Sequence, residues 1–148
     1  MKIVSSILPP ENLREEVQKE FLQADFKFFR GIKSAGESLY DAEILITYGE
    51  DLTEDHIHKS KRLKWNTVMS AGMDEMPFKA CKQKGILLRN EPLPKGHPFW
   101  KMENVTVMPQ LSSVTKIPRS FEIFKHNLHT YIKNNKDYIN VIDLERGY

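Results

Sequence analysis

The turn Ser70-Ala71-Gly72-Met73 is where this sequence comes nearest to a ligand site. It follows the apolar run Trp65-Asn66-Thr67-Val68-Met69, which reads as a strand. The turn therefore falls at a strand's carboxyl end, where open α/β sheets bind ligands. Gly72 lets the backbone turn tightly and can leave amide N–H groups pointing into a crevice, a donor set suited to a small anion. The plainer reading is a strand-to-helix turn in which Asp74 caps the next helix. Tyr48, Gly49 and Glu50 follow another apolar run and can line the same crevice.

Other reactive residue types form no comparable set. His56 and His58 are two apart on a helical stretch and face different ways. His126 and His129 are three apart and can share a face, but no Cys, Asp or Glu nearby completes a ligand set, so a solvated helix face is expected and no metal. Cys81 is the one cysteine, which rules out an intrachain disulfide and favours an intracellular setting. Its amphipathic surroundings, Phe78 to Lys84, suit a small buried hydrophobe better than a reactive thiol. The basic run His58-Lys59-Ser60-Lys61-Arg62-Leu63-Lys64 lacks interleaved aromatics. It reads as charge that complements a helix C-terminus, not as a nucleic-acid site.

The elements that would position these residues are legible from periodicity. With 148 residues and 40% hydrophobic content, the chain suits one domain with a real core. The charged fraction of 28% and net charge of +2 are ordinary for a globular protein. Strands are expected at Ile3-Val4, Phe26–Phe29, Glu43–Tyr48, Trp65–Met69 and Ile86–Leu88, the last three buried on both faces because their apolar residues run continuously. Pro9-Pro10 opens a first helix with a stripe of Leu13, Val17, Phe21 and Leu22. Thr53 is the N-cap of a later helix, with Glu54 and Asp55 in its first turn and Leu52 and Ile57 as a hydrophobic staple. A helix after Asp74 turns Phe78 and Cys81 inward and closes at Gly85. Ile117, Phe121, Phe124, Leu128 and Tyr131 mark the longest helix. Alternating strands and helices predict a flavodoxin-like doubly wound parallel sheet of five strands, order 2-1-3-4-5, flanked by helices. A receiver-type phosphorylation site is excluded, because Thr47-Tyr48 and Ser5-Ser6 stand where acidic residues would be needed. The apolar stretch Ile7-Leu8-Pro9-Pro10 after Ser5-Ser6 also argues against a flavin-phosphate loop.

Two blocks carry a family resemblance. The first runs from Ala42–Tyr48 through Leu63-Lys64-Trp65 and Ser70-Ala71-Gly72-Met73-Asp74 to Lys84-Gly85-Ile86-Leu87. The second comprises Glu91-Pro92-Leu93-Pro94, His97-Pro98-Phe99-Trp100 and Asn104–Ser113. Together they resemble the D-isomer-specific, NAD-dependent 2-hydroxyacid dehydrogenases, phosphoglycerate dehydrogenase among them. Residues 1–90 are similar to that family's N-terminal segment, and residues 91–148 to its C-terminal return. The resemblance implies a single substrate-binding domain over 1–148, with the coenzyme domain absent between Asn90 and Glu91. It also implies that the amides of Ala71 and Gly72, with Ser70 beside them and Tyr48 across the crevice, hold a substrate carboxylate.

The departures from the family pattern predict an inactive chain. Its seven glycines stand at 31, 36, 49, 72, 85, 96 and 147, so no glycine-rich dinucleotide turn can form. NAD is therefore expected for the parent family but not for this chain. Pro109-Gln110-Leu111-Ser112 matches the family's Pro-His turn, and Gln110 cannot act as general acid or base near neutrality. The expected function is an isolated substrate-binding domain without hydride transfer, and the alternative is a stand-alone flavodoxin-like binding or scaffold module. A seam in the proline-rich loop 91–98, together with the replaced histidine, points to an engineered excision. Expected partners are a small 2-oxo or 2-hydroxy acid, weakly bound, and a second copy of the chain through exchange of the 117–134 helix. Nucleic acid and membrane are not expected. The start Met1–Ser6 lacks a signal-type apolar stretch, and a cytoplasmic location is expected.

Overall fold

Ile44-Leu45-Ile46-Thr47 and Trp65-Asn66-Thr67-Val68 present no face to solvent, since all eight residues are buried. They are the inner strands β3 (Ile44–Thr47) and β4 (Trp65–Val68) in a computed structural model that describes residues 1–49, 51–69, 76–89 and 117–139. The remaining strands are β1 (Lys2–Ser5), β2 (Asp25–Phe28) and β5 (Leu87–Arg89). All pairings are parallel, and the sheet order is 2-1-3-4-5, as the sequence predicts.

Alternation along each strand divides the core in two. Val4, Leu45, Val68 and Leu88 face one layer; Ile3, Ile44, Ile46, Trp65 and Met69 face the other. The first layer is closed by α2 (Ile32–Ala35), a 3-10 turn at Gly36–Leu39, α3 (Glu54–Lys59) and α4 (Phe78–Gln83). The second is closed by α1 (Glu11–Glu20) and α5 (Ile117–Ile132), whose Phe121, Phe124 and Leu128 are fully buried. Phe124 lies 5.5 Å from the Trp65 ring and 6.4 Å from the Phe26 ring, centroid to centroid. Charge fixes the same contact. Lys125 on α5 reaches Glu16 and Glu20 on α1, and His129 meets Glu20 at 2.7 Å. Hydrogen bonds to Glu122 and Glu16 push the Lys125 ammonium well above the usual lysine range. Helix α5 thus covers the sheet although its residues lie far from the strands in sequence.

Two expectations need correction. Leu22 is 85% exposed and not part of the α1 stripe. The helix ends at Glu20, and the turned backbone of Phe21 (φ −118°, ψ 66°) carries that ring into the core while Leu22 swings out. Strand β5 is not buried on both faces, for it lies at the sheet edge and Leu87 is only half-buried between Ile86 and Leu88. The start of the basic run does sit at a helix C-terminus, as expected, with His58 and Lys59 in the last turn of α3. Arg62 and Lys64 instead reach Glu43 at 3.1 and 3.6 Å. Burial alone would raise the Glu43 pKa, but the Lys2 amide and these two cations outweigh it and hold the carboxyl below its ordinary range.

The helix punctuation otherwise holds. Thr53 caps α3, and Leu52 and Ile57 are buried in one cluster. Helix α4 ends in a Schellman motif: Gly85 N–H donates to Lys82 O at 3.1 Å and Ile86 N–H to Cys81 O at 2.9 Å. Gly85 has φ +63°, which is why a glycine is required there. The cap position of α4 is Pro77, three residues beyond the expected Asp74. The segment 105–108 and the tail 140–144, expected as a strand and as extended packing, lie outside the described residues.

Candidate functional site

The carboxyl ends of β1 and β3 lie side by side at the centre of the sheet, the point where the strand order reverses and where such folds form a crevice. After β1, Ser5 and Ser6 spend their polar groups on the backbone. The Ser5 hydroxyl donates to Ile7 O at 2.7 Å and accepts from Ile7 N–H at 3.1 Å. Ser6 N–H donates to Ile46 O at 2.9 Å, and Gly31 N–H to Ser6 O at 2.7 Å. Helix α1 then begins behind Pro9 and Pro10, which carry no N–H, with the Glu11 carboxylate in its first turn. A phosphate at the start of α1 would meet negative charge and find few donors.

After β3 the chain exposes Tyr48, 38% accessible, at the rim. Gly49 follows with φ +92°. A Cβ at Gly49 would stand 2.9 Å from Met76 Sδ and 3.0 Å from Val68 Cγ1, so glycine is needed twice, for its backbone and for its lack of volume. This contact joins the loop after β3 to the chain that leads into α4. Beneath the rim, Thr47 Oγ1 donates to Asn66 Oδ1 at 3.3 Å, and both side chains are fully buried. Asn66 Nδ2 and Thr67 Oγ1 are buried without partners. The uninterrupted burial of β3 and β4 predicted their environment, but nothing in the sequence marked the Thr47–Asn66 pair or the Gly49–Met76 contact as parts of the site. A glycine directly after a buried strand was the available signal.

Of the expected site residues, Tyr48 alone is described, exposed directly after β3. Ser70, Ala71, Gly72 and Gln110 lie outside the described residues, as does Glu50. The histidines do more than line solvated faces. His56 belongs to the cap of α3, His129 pairs with Glu20, and the His126 ring nitrogen is 3.1 Å from Asp137 O. Among the described residues no group of three or more His, Cys, Asp or Glu side chains could hold a metal. Cys81 is buried, and desolvation pushes its thiol up to about 11, which suppresses the reactive thiolate near neutrality. No described helix is long and apolar enough to cross a membrane.

Residues 3–93, which span the whole sheet and its carboxyl edge, match the family model of the D-isomer specific 2-hydroxyacid dehydrogenase, catalytic domain. The chain belongs to this family. Solved structures show the same fold. The phosphoglycerate dehydrogenase of Lactobacillus plantarum is 14% identical with TM-score 0.53, over 97% of this chain and 42% of its own. The D-lactate dehydrogenase of Aquifex aeolicus, solved with NAD and lactic acid, is 20% identical with TM-score 0.52, over 99% of this chain and 42% of its own. The 3-phosphoglycerate dehydrogenase of Entamoeba histolytica, solved with NAD+, is 23% identical with TM-score 0.52, over 62% of this chain and 33% of its own. The chain thus spans 33–42% of the length of these family structures. No curated protein sequence matches it.

Proposed function

We propose that this chain is the substrate-binding domain of a D-2-hydroxyacid dehydrogenase, built from the family's N-terminal segment (1–90) and its C-terminal return (91–148). The coenzyme domain is absent between Asn90 and Glu91, and the chain alone performs no hydride transfer. The alignment lengths carry this reading: two family structures match 97–99% of the chain while only 42% of each is used. The described elements agree, since α5, on the far side of the seam, packs on the sheet formed by residues before it.

On this reading the amides of Ala71 and Gly72, with Ser70, hold the carboxylate of a small 2-oxo or 2-hydroxy acid, and Tyr48 lines the opposite wall. Affinity is low, because a few amides without a cationic partner offset little of the cost of binding. Gln110 can orient a substrate oxygen by a hydrogen bond but cannot exchange a proton with it. NAD serves the parent family, and this chain neither holds it nor depends on it. The seam in the proline-rich loop and the glutamine at position 110 together favour an engineered excision in a cytoplasmic enzyme. Nucleic acid and membrane are not partners. A second copy is one, by exchange of α5, whose seat on α1 and the sheet is the same in every copy; a single monomer mass at all concentrations would sink that part.

An amide NMR titration with pyruvate and bulkier 2-oxo acids, with and without NADH, tests the function. Shifts confined to Ala71, Gly72 and the loop after Tyr48, with NADH absorbance constant, are expected. NADH consumption would refute the lack of activity. A spectrum unmoved by every acid would leave the alternative, a flavodoxin-like scaffold module without a ligand.

A further inference from the structure

We propose that the N-terminal cap of α3 is a proton-sensitive latch on the loop that carries Tyr48. Helix N-termini of this kind are usually closed by a Glu or Gln at the third helical position, which reaches back to the cap residue's amide. Here that position is His56. Thr53 N–H donates to His56 Nδ1 at 3.1 Å, while His56 N–H donates to Thr53 Oγ1 at 3.3 Å. Nδ1 can accept only while it carries no proton, so the closed box requires the neutral ring with hydrogen on Nε2. Protonation sets an Nδ1–H against Thr53 N–H and leaves it only Thr53 Oγ1, 3.1 Å away, an oxygen that already accepts from His56 N–H. The closed box therefore binds one proton fewer than the opened one, and acid favours opening.

Helix α3 has six residues, too few to persist without its ends secured. Its C-terminal carbonyls are secured by Lys84, which donates to Ile57 O and His58 O at 2.6 and 2.8 Å, so opening is confined to the N-terminal side. That side continues into Leu52, whose amide donates to Gly49 O at 3.1 Å, and so into Tyr48. The charged groups around the ring come from two elements. Glu54, Asp55, His58 and Lys59 belong to α3 itself. Tyr40 lies 6.4 Å from the His56 ring, ring centre to ring centre, with Lys59 Nζ 5.9 Å over it and Glu37 near that ammonium. The first turn holds the carboxylates of Glu54 and Asp55, and the last turn the Lys59 ammonium. Neither set substitutes for the lost acceptor at Thr53 N–H.

The test is hydrogen exchange and NMR on the full chain between pH 8 and pH 5, the range in which histidines as a class change charge. After correction for intrinsic exchange, the opening equilibrium at Thr53 and His56, the two amides bonded in the box, is expected to rise about fivefold in acid, the size of an ordinary cap. The Gln variant His56→Gln keeps an acceptor that does not titrate and should remove the pH dependence. His56→Ala should be open at every pH. Equal pH dependence in wild type and His56→Gln would overturn the proposal. Ring 15N shifts supply a second measurement in the unmodified chain: an unprotonated Nδ1 at pH 8 supports the latch, and a proton on Nδ1 refutes it.

Discussion

Replacing Phe124 by alanine asks whether α5 is structurally part of the sheet domain or merely attached to it. The ring is fully buried and packs against Phe26, Trp65 and Phe121 at 5.5–6.4 Å, two of these contacts lying on strands that precede the seam. Truncating a buried Phe costs about 3–5 kcal/mol, as lost transfer energy plus an unfilled cavity. That is a fifth or more of the roughly 5–15 kcal/mol a domain holds. Urea unfolding followed by far-ultraviolet circular dichroism should therefore show a much lower midpoint in Phe124→Ala. Leu22→Ala, at an 85% exposed position, is the control and should stay within about 0.5 kcal/mol of wild type. A loss below about 1 kcal/mol for Phe124→Ala would show that the cavity collapses freely or that α5 is not seated on the sheet in solution. The second result would refute the argument that the return segment completes this domain.

Other expectations follow from single contacts. Lys84→Met leaves three carbonyls at the end of α3 without their ammonium donor and should cost about 1–2 kcal/mol in chemical denaturation, screening by solvent included. Gly49→Ala adds a Cβ into Met76 and Val68 at positive φ and should cost about 2–4 kcal/mol. Gly31→Ala has the same kind of backbone (φ +87°) but open space, and should cost only the strain, about 1–2 kcal/mol; equal losses would contradict the packing argument. Glu43 is held below its ordinary value of 4.5, so its folded form favours the charged state. Its contribution is present above pH 4.5 and lost as pH falls through its lowered value, so wild type and Glu43→Gln should differ in Tm at pH 7 and converge in acid.

The candidate site divides along the same line as the fold. Gly72 and its turn, Tyr48 and Gln110 could be proposed from sequence because a strand end, a rim position and a substituted histidine are properties of short stretches. The Gly49–Met76 contact and the Thr47–Asn66 pair were not legible, because each joins residues 19 or more positions apart that only the folded sheet and its connecting loops bring together. His56 was read as one member of a histidine pair, and its role as an acceptor emerged only from the rotamer that turns Nδ1 back to Thr53.

By itself the sequence determined the five parallel strands, their order, the caps at Thr53 and Gly85 and the family. All of these rest on periodicity, turn chemistry and runs of residues close in the chain. Tertiary structure alone decided that Leu22 points outward while Phe21 closes the core, and that Arg62 and Lys64 serve Glu43. It also decided that Lys125 and His129 clamp α5 to α1 across more than a hundred residues. Such contacts depend on which surfaces meet once the apolar faces are buried, and periodicity within one element carries no record of what the opposing element presents.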